Sequence, residues 1–292
     1  PARALSFIFP CLDQSKRMNQ PPGLNQLCVH TITTKPWPLD RAVDAYQAEG
    51  IQGISVWQDA VLQSGLKQAA KTLEASQLSV VSYVRGGFFP HTSAGQRQKA
   101  IDHNKLMLEE AATIGAPLLV LVCGSDPAQS LSISRDQIRE GLENILPYAE
   151  SLGVKLGIEP LHPMYADTRS AINNLKTAND MADQLDHPYC GVVVDVYHLW
   201  WDPDLEAEIM RCGRDGHLFS YHICDWKVPT ADMLNDRGLM GEGCIPLKKI
   251  RSWVERAGFF GFHEVEIFSN THWQRDQMEF LRDVVHAFQH HS

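Results

Sequence analysis

The 292-residue sequence predicts a single α/β domain folded as an eight-stranded parallel (β/α)8 barrel of the TIM type. Three observations carry this expectation. Eight short apolar, β-branched runs recur along the chain, each is followed by a stretch of helical periodicity, and four successive runs end on an acidic or histidine residue.

The runs are LCVHTITT (27 to 34), GISVW (53 to 57), LSVVSYV (78 to 84), LLVLVCG (118 to 124), KLGIEPL (155 to 161), CGVVVDVYH (190 to 198), LFSYHICD (218 to 225) and FHEVEIF (262 to 268). Near-continuous apolar strands are buried on both faces, which requires a parallel sheet with helices outside it. After the first run, LDRAVDAYQAEG places Leu39, Ala42, Val43 and Tyr46 on one helical face. The later segments are LKQAAKTLEASQ, AIDHNKLMLEEAATIG, QIREGLENILPYAESLG, INNLKTANDMADQLD, DLEAEIMRCG, LKKIRSWVERAG and QMEFLRDVVHAF. Gly50, Gly115, Gly153, Gly213 and Gly258 stand where left-handed residues would stop these helices. An open doubly wound sheet is the structural alternative, but no glycine-rich turn follows the first strand.

Composition narrows the function classes. Asp plus Glu number 35 against 26 Lys plus Arg, a formal charge of -9 that disfavours a nucleic-acid partner. Hydrophobic residues make up 44% and charged ones 21%, enough apolar side chain for one continuous core. Cys11, Cys28, Cys123, Cys190, Cys212, Cys224 and Cys244 lack CxxC spacing and read as reduced core thiols. No apolar run reaches the roughly 20 residues of a membrane helix, and PARALSFIFPCLD lacks the long apolar core of a signal peptide. A cytoplasmic protein with no membrane partner is expected. Residues 1 to 26 read as an N-terminal arm or lid, and 27 to 292 as the barrel domain.

The chemistry concentrates at the strand ends. Glu159 closes the fifth strand before Pro160, which cannot continue a ladder. Asp195 follows the apolar run of the sixth, and His198 lies three residues on. The seventh offers His222 and Asp225; the eighth offers Glu264 and Glu266, on one face by period two. Side chains there converge on the C-terminal mouth of a barrel. Three carboxylates and an imidazole without thiolate suit Mn²⁺, Mg²⁺, Co²⁺ or Zn²⁺, and a cation would hold the carboxylates ionised. The bland alternative is that each acid caps the helix after its strand. Trp57 is a candidate wall for a sugar ring, as is the pair Trp200 and Trp201. His162 is a candidate pocket residue or a loop histidine bound to backbone. Lys227 and Arg85 could hold a substrate oxygen or anion, or pair with rim acids. His30 could belong to the core or the site, His290 and His291 read as a solvated tail, and Gly241 and Gly243 as a tight turn.

The pieces IEP around Glu159, VVDVYH around Asp195, YHICDW around His222 and EVEIFS around Glu266 resemble the xylose-isomerase-like barrel superfamily, in its sugar phosphate isomerase/epimerase branch with ketose 3-epimerases and inosose dehydratases. The likeness spans residues 27 to about 290. It implies a single metal, manganese first, held by Glu159, Asp195, His222 and Glu266. It also implies Glu159 and Glu266 as the catalytic acid/base pair, and His198 on substrate oxygens. His162, Trp57 and Lys227 complete the expected substrate-binding set. The implied function is a metal-dependent keto-sugar or cyclitol isomerase or epimerase, acting by proton abstraction beside a carbonyl through a metal-stabilised enediolate. A dehydratase or lyase on the same scaffold is the alternative, and a noncatalytic sugar-binding subunit a third. Endonuclease IV shares the scaffold, but Asp236-Arg237-Gly238 stands where its Asp-Arg-His motif would supply a ligand. Family relatives often form homo-oligomers.

Overall fold

A computed structural model describes residues 21 to 292. Most of the expected N-terminal arm, and Cys11, lie outside the described residues. The strands are β1 (Leu27–His30), β2 (Gly53–Trp57), β3 (Ser79–Gly87), β4 (Leu118–Val122), β5 (Lys155–Glu159), β6 (Cys190–Asp195), β7 (Leu218–Ile223), β8 (Asp225–Trp226), β9 (Arg237–Gly238) and β10 (His263–Val265). Eight of them close a parallel barrel in the order β1-β10-β7-β6-β5-β4-β3-β2, while β8 and β9 pair antiparallel as a small hairpin at the mouth. The (β/α)8 expectation is met.

The helices are α1 (Leu39–Ala48), α2 (Gln58–Ser64), α3 (Leu66–Glu74), α4 (Ala94–Thr113), α5 (Leu131–Leu152), α6 (Leu175–Leu185), α7 (Val196–Leu199), α8 (Leu205–Arg214), α9 (Leu247–Arg256) and α10 (Gln277–His291). Among the described residues no helix is long and apolar enough to cross a membrane.

Strand alternation splits the core into two layers. On β4, Leu119 and Leu121 pack outward into the large cluster between sheet and helices, while Leu118 and Val120 join Val84 and Val193 inside the barrel. Each such side chain removed from water contributes about 1.5–3 kcal/mol. The same parity decides where the site residues go. Asp195 is in phase with inward Val193, and Glu159 with Gly157, where an added Cβ would lie 2.8 Å from Val193 Cγ2.

Several boundaries differ from expectation. The first strand stops at His30 and the last at Val265 because Thr33 takes over the ladder: its hydroxyl donates to Val265 O at 3.0 Å and accepts from Ile267 N at 3.1 Å. Helices α2 and α7 have no counterpart in the sequence reading. Asp195 nucleates α7 by accepting from Tyr197 N at 2.7 Å. Gly213 does not stop its helix. That role falls to Gly216 at φ 76°, and Gly213 instead allows Ala257 O to approach where its Cβ would stand only 2.1 Å away. Gly50, Gly115, Gly153 and Gly258 have positive φ, as expected. Cys28, Cys123, Cys190, Cys212 and Cys224 are buried free thiols; Cys244 is exposed, because its turn caps the barrel mouth rather than entering the core.

Candidate metal centre and active site

Glu159 and Asp195 are the last residues of β5 and β6, His222 lies one residue before the end of β7, and Glu266 lies just beyond β10. Parity turns all four inward. Each offers a ligand atom, and these atoms lie within 4.8 Å of one another, with every residue buried. His222 Nδ1 stands 3.2 Å from Glu159 Oε1 but off a hydrogen-bonding angle, so both atoms are left without a partner. Unpartnered buried polar atoms facing one another are costly unless something else binds them. A divalent cation fits: the donors are hard or borderline, and three buried carboxylates need positive charge.

The electrostatics show the same need. Burial would depress the His222 pKa, yet Glu264, with Glu159 and Glu266, pushes it up to about 10. Burial pushes Asp195 up to about 6 against the pull of Arg237. Burial also opposes ionisation of Glu266, but Arg237 and His30 outweigh it and hold the carboxyl far below its usual range. Asp195 combines the two alternatives weighed from sequence: Oδ1 caps α7 while Oδ2 faces the site.

Arg237 is the residue that sequence reasoning missed. Its Nη1 donates to Glu266 Oε2 at 2.7 Å and to Asp195 Oδ2 at 3.1 Å, and its Nη2 lies 3.2 Å from His198 Nε2. The guanidinium sits over the Tyr197 ring at 4.4 Å. The β8–β9 hairpin carries it there. Lys227 Nζ pairs with Asp236 Oδ1 at 2.5 Å across the hairpin, and the carbonyl of Met233 at its tip accepts from the hydroxyls of Tyr165 and Tyr197. A two-residue strand leaves no periodic signal, so only the Asp-Arg-Gly triplet marked the position. Replacing Arg237 with Met should leave Asp195 and Glu266 without their counter-charge and cost about 3–5 kcal/mol in metal-free protein. Urea unfolding would check this, and added divalent ion should recover part of the loss.

One layer deeper, Glu264 anchors a second network. It accepts from Ser55 Oγ at 2.5 Å, Ser82 Oγ at 2.9 Å, His30 Nε2 at 3.2 Å and the Ser220 hydroxyl, and His222 Nε2 stands 3.6 Å away. Burial opposes its ionisation, but His222 and His30 bring its pKa down to about 2. The carboxylate thus faces the nitrogen of His222 that points away from Glu159. His30 Nδ1 lies 3.1 Å from the Trp57 indole N–H and 3.2 Å from Glu266 Oε1, and can serve one partner at a time. His30 therefore belongs to the floor of the site.

The pocket above is lined by Trp57, Arg85, Val122, Glu159, Leu161, Tyr165, Arg169, His198, Leu234, Arg237, Glu266 and Phe268. Of the expected substrate-binding residues, Trp57 and His198 line it. His198 is buried, which together with Arg237 holds its pKa well down, so it is neutral. With Nε2 facing the Arg237 donor, its proton sits on Nδ1, which has no partner. His162 and Lys227 do not line this pocket. His162 Nδ1 accepts from Met164 N at 3.2 Å and its ring packs against Trp201 and Trp226 at 5.7 and 5.1 Å. Asp225 also stands aside, accepting from the backbone N–H of Trp226, Gly241 and Ile245 to shape the expected turn at Gly241 and Gly243.

Residues 41 to 284 match the family model for xylose isomerase-like TIM barrels. The sequence is 22% identical over 271 residues to fructoselysine 3-epimerase of Shigella flexneri, covering 86% of this chain and 92% of that protein. Protein SMc04130 of Sinorhizobium meliloti 1021 superposes with a TM-score of 0.90 at 42% identity, covering 92% of this chain and 99% of that one. The IolI protein with a bound zinc atom superposes with a TM-score of 0.79 at 19% identity, over 90% of this chain and 96% of that one.

Proposed function

We propose, from the premise that this chain belongs to the family of xylose isomerase-like TIM barrels, that it is a divalent-metal-dependent isomerase or epimerase of keto-sugars or cyclitols. One observation carries the reading: Glu159, Asp195, His222 and Glu266 point buried ligand atoms at one another, and those on Glu159 and His222 have no other partner. The epimerase among its relatives and the zinc bound by IolI support it. Manganese is the first candidate, with magnesium, cobalt or zinc as alternatives.

A divalent ion held by these four residues would act as a Lewis acid on substrate oxygens and lower the cost of an enediolate charge. The chain itself supplies the proton transfers. Glu159 and Glu266 come from strands separated by two others in the barrel, so they approach a bound carbon from different sides. The Glu159 carboxylate removes the proton beside the carbonyl, and a proton drawn from solvent through Glu266, which Arg237 and His30 steady, is delivered to the other face, the Glu159 proton then returning to solvent. Epimers processed in the opposite direction exchange the two roles. His198 Nδ1–H and Arg237 donate to substrate oxygens, and Trp57 with Phe268 walls off one side.

Elemental analysis should find about one divalent ion per chain. Saturation at 100 times the dissociation constant should stabilise the fold by about 2.7 kcal/mol, read as a rise in Tm that a chelator reverses. Proton NMR in D₂O over a panel of ketoses and inososes should show deuterium entering at one α-carbon, with a new epimer or isomer. An unsaturated product would move the protein to the lyases, and absence of metal binding would end the reading.

A further inference from the structure

We propose that the substrate of this site carries an anionic group, a phosphate or carboxylate, held by Arg85 and Arg169 at the barrel mouth. The inference rests on the isomerase reading above and specifies its substrate class.

Both arginines line the pocket that contains Glu159, Glu266 and Arg237. Among the described residues neither makes an ion pair or a side-chain hydrogen bond, whereas Arg237 in the same pocket is paired with Asp195 and Glu266. Two like charges in a partly buried pocket repel each other, and burial together with Arg169 depresses the Arg85 pKa. Asp59, Glu159 and Glu266 influence Arg85, but from beyond ion-pair distance. A divalent ion bound at the centre would, with Arg237, match the charge of the three carboxylates Glu159, Asp195 and Glu266. Arg85 and Arg169 are therefore surplus positive charge beside a neutralised site, in a chain whose net charge is -9.

Backbone features hold both side chains in place. The register of β3 against β4 runs Val84↔Val120 and then Gly86↔Leu121, so Arg85 is the extra residue of a bulge. Bulges of this kind re-aim a side chain next to a site. The guanidinium lies over the rings of Phe88 at 5.0 Å and Trp57 at 5.8 Å. These ring contacts hold the guanidinium by its face, and its N–H groups, unpartnered among the described residues, can take an oxyanion. Arg169 is stapled to the chain just beyond β4: Gly124 N donates to Arg169 O at 2.9 Å, and Ala171 N to Gly124 O at 2.9 Å. Its guanidinium lies 5.7 Å from the Tyr165 ring centre. Preorganised donors lose little entropy on binding.

The test compares metal-loaded protein on D-fructose, D-fructose 6-phosphate and 5-keto-D-gluconate, scoring kcat/KM for α-hydrogen exchange in D₂O. One anionic sugar should be preferred over the neutral one by roughly tenfold to a hundredfold, the worth of one or two charge-assisted hydrogen bonds. A preference for the phosphate ester or for the keto acid identifies which anion the arginines receive. Arg85→Gln and Arg169→Gln should shrink that preference mainly through KM, and Arg85→Lys should restore part of it. Equal use of neutral and anionic sugars, or a preference that survives both Gln substitutions, overturns the proposal. A second readout is independent of turnover: calorimetric binding of inorganic phosphate to the full chain with metal chelated away, expected to weaken several-fold in Arg85→Gln. Phosphate binding of that kind with no exchange on any sugar would uphold the anion subsite and sink the isomerase reading. Exchange on sugars with phosphate binding indifferent to both arginines would do the reverse.

Discussion

Glu159→Gln is expected to preserve the fold while lowering α-proton exchange by roughly 10³- to 10⁴-fold, the upper range for loss of a general base. The substitution is nearly isosteric. The Oε1 atom that it alters makes no hydrogen bond, so no existing partner is stranded. It also removes one negative charge from a group of three buried carboxylates, which relieves repulsion in metal-free protein. Because Glu159 also helps raise the His222 pKa, a pairing the variant gives up, the metal-free variant should melt near the parent temperature while exchange collapses. That combination separates loss of chemistry from loss of structure. Exchange within threefold of the parent would remove Glu159 from the catalytic role and leave Glu266 as the only candidate base.

The second large effect concerns stability. His263 is 1% exposed on the outward face of β10, edge-on to the rings of Tyr221 and Phe288 at 5.2 and 5.8 Å. Neither ring nitrogen has a partner. Burial, with a contribution from Arg251, pushes its pKa from 6.5 down to about 3. The folded pKa lies below the unfolded one, so the unfolded chain takes up the proton first as pH falls. Its titration has no effect on stability above about pH 6.5, and the cost grows by about 1.4 kcal/mol per pH unit below that until the folded form titrates. At pH 4.5 that amounts to roughly 2–3 kcal/mol. His263→Phe should remove this slope. Urea unfolding at pH 7.5 and 4.5 should show a gap between the two stabilities that is smaller by about that amount in the variant. An unchanged gap would mean that His263 is hydrated or partnered in solution.

Sequence periodicity located the barrel because each strand and helix advertises its burial locally. Val192 to Val194 had to form a strand buried on both faces, and once Val193 turned inward Asp195 followed it. The same reasoning reached Glu159, His222 and Glu266, since a strand's parity and end are properties of a few neighbouring residues. It favoured Glu266 over Glu264, which share a face, without a measure of their depth. Depth separates them: two residues along the chain lead from Glu264, among three serines inside the barrel, to Glu266 at its mouth.

The roles of Arg237, Arg85, Lys227 and Asp225 were decided only by the fold. Lys227 and Asp225 looked like site residues because they follow a strand carrying His222, but one clamps a hairpin and the other builds a turn. In the sequence Arg237 stands out only as part of the Asp-Arg-Gly triplet, yet that hairpin drops it between Asp195 and Glu266 from 42 and 29 residues away. For Arg85 the sequence left open an anion binder or a partner of rim acids, and a bulge, visible only in the pairing of β3 with β4, placed it in the pocket. The sequence by itself determined which residues end strands and face inward, because backbone alternation and hydrophobic burial act over a few residues. Which charges meet was left to the closed barrel, because charge neutralisation in a buried site is settled between strands that are distant in the chain.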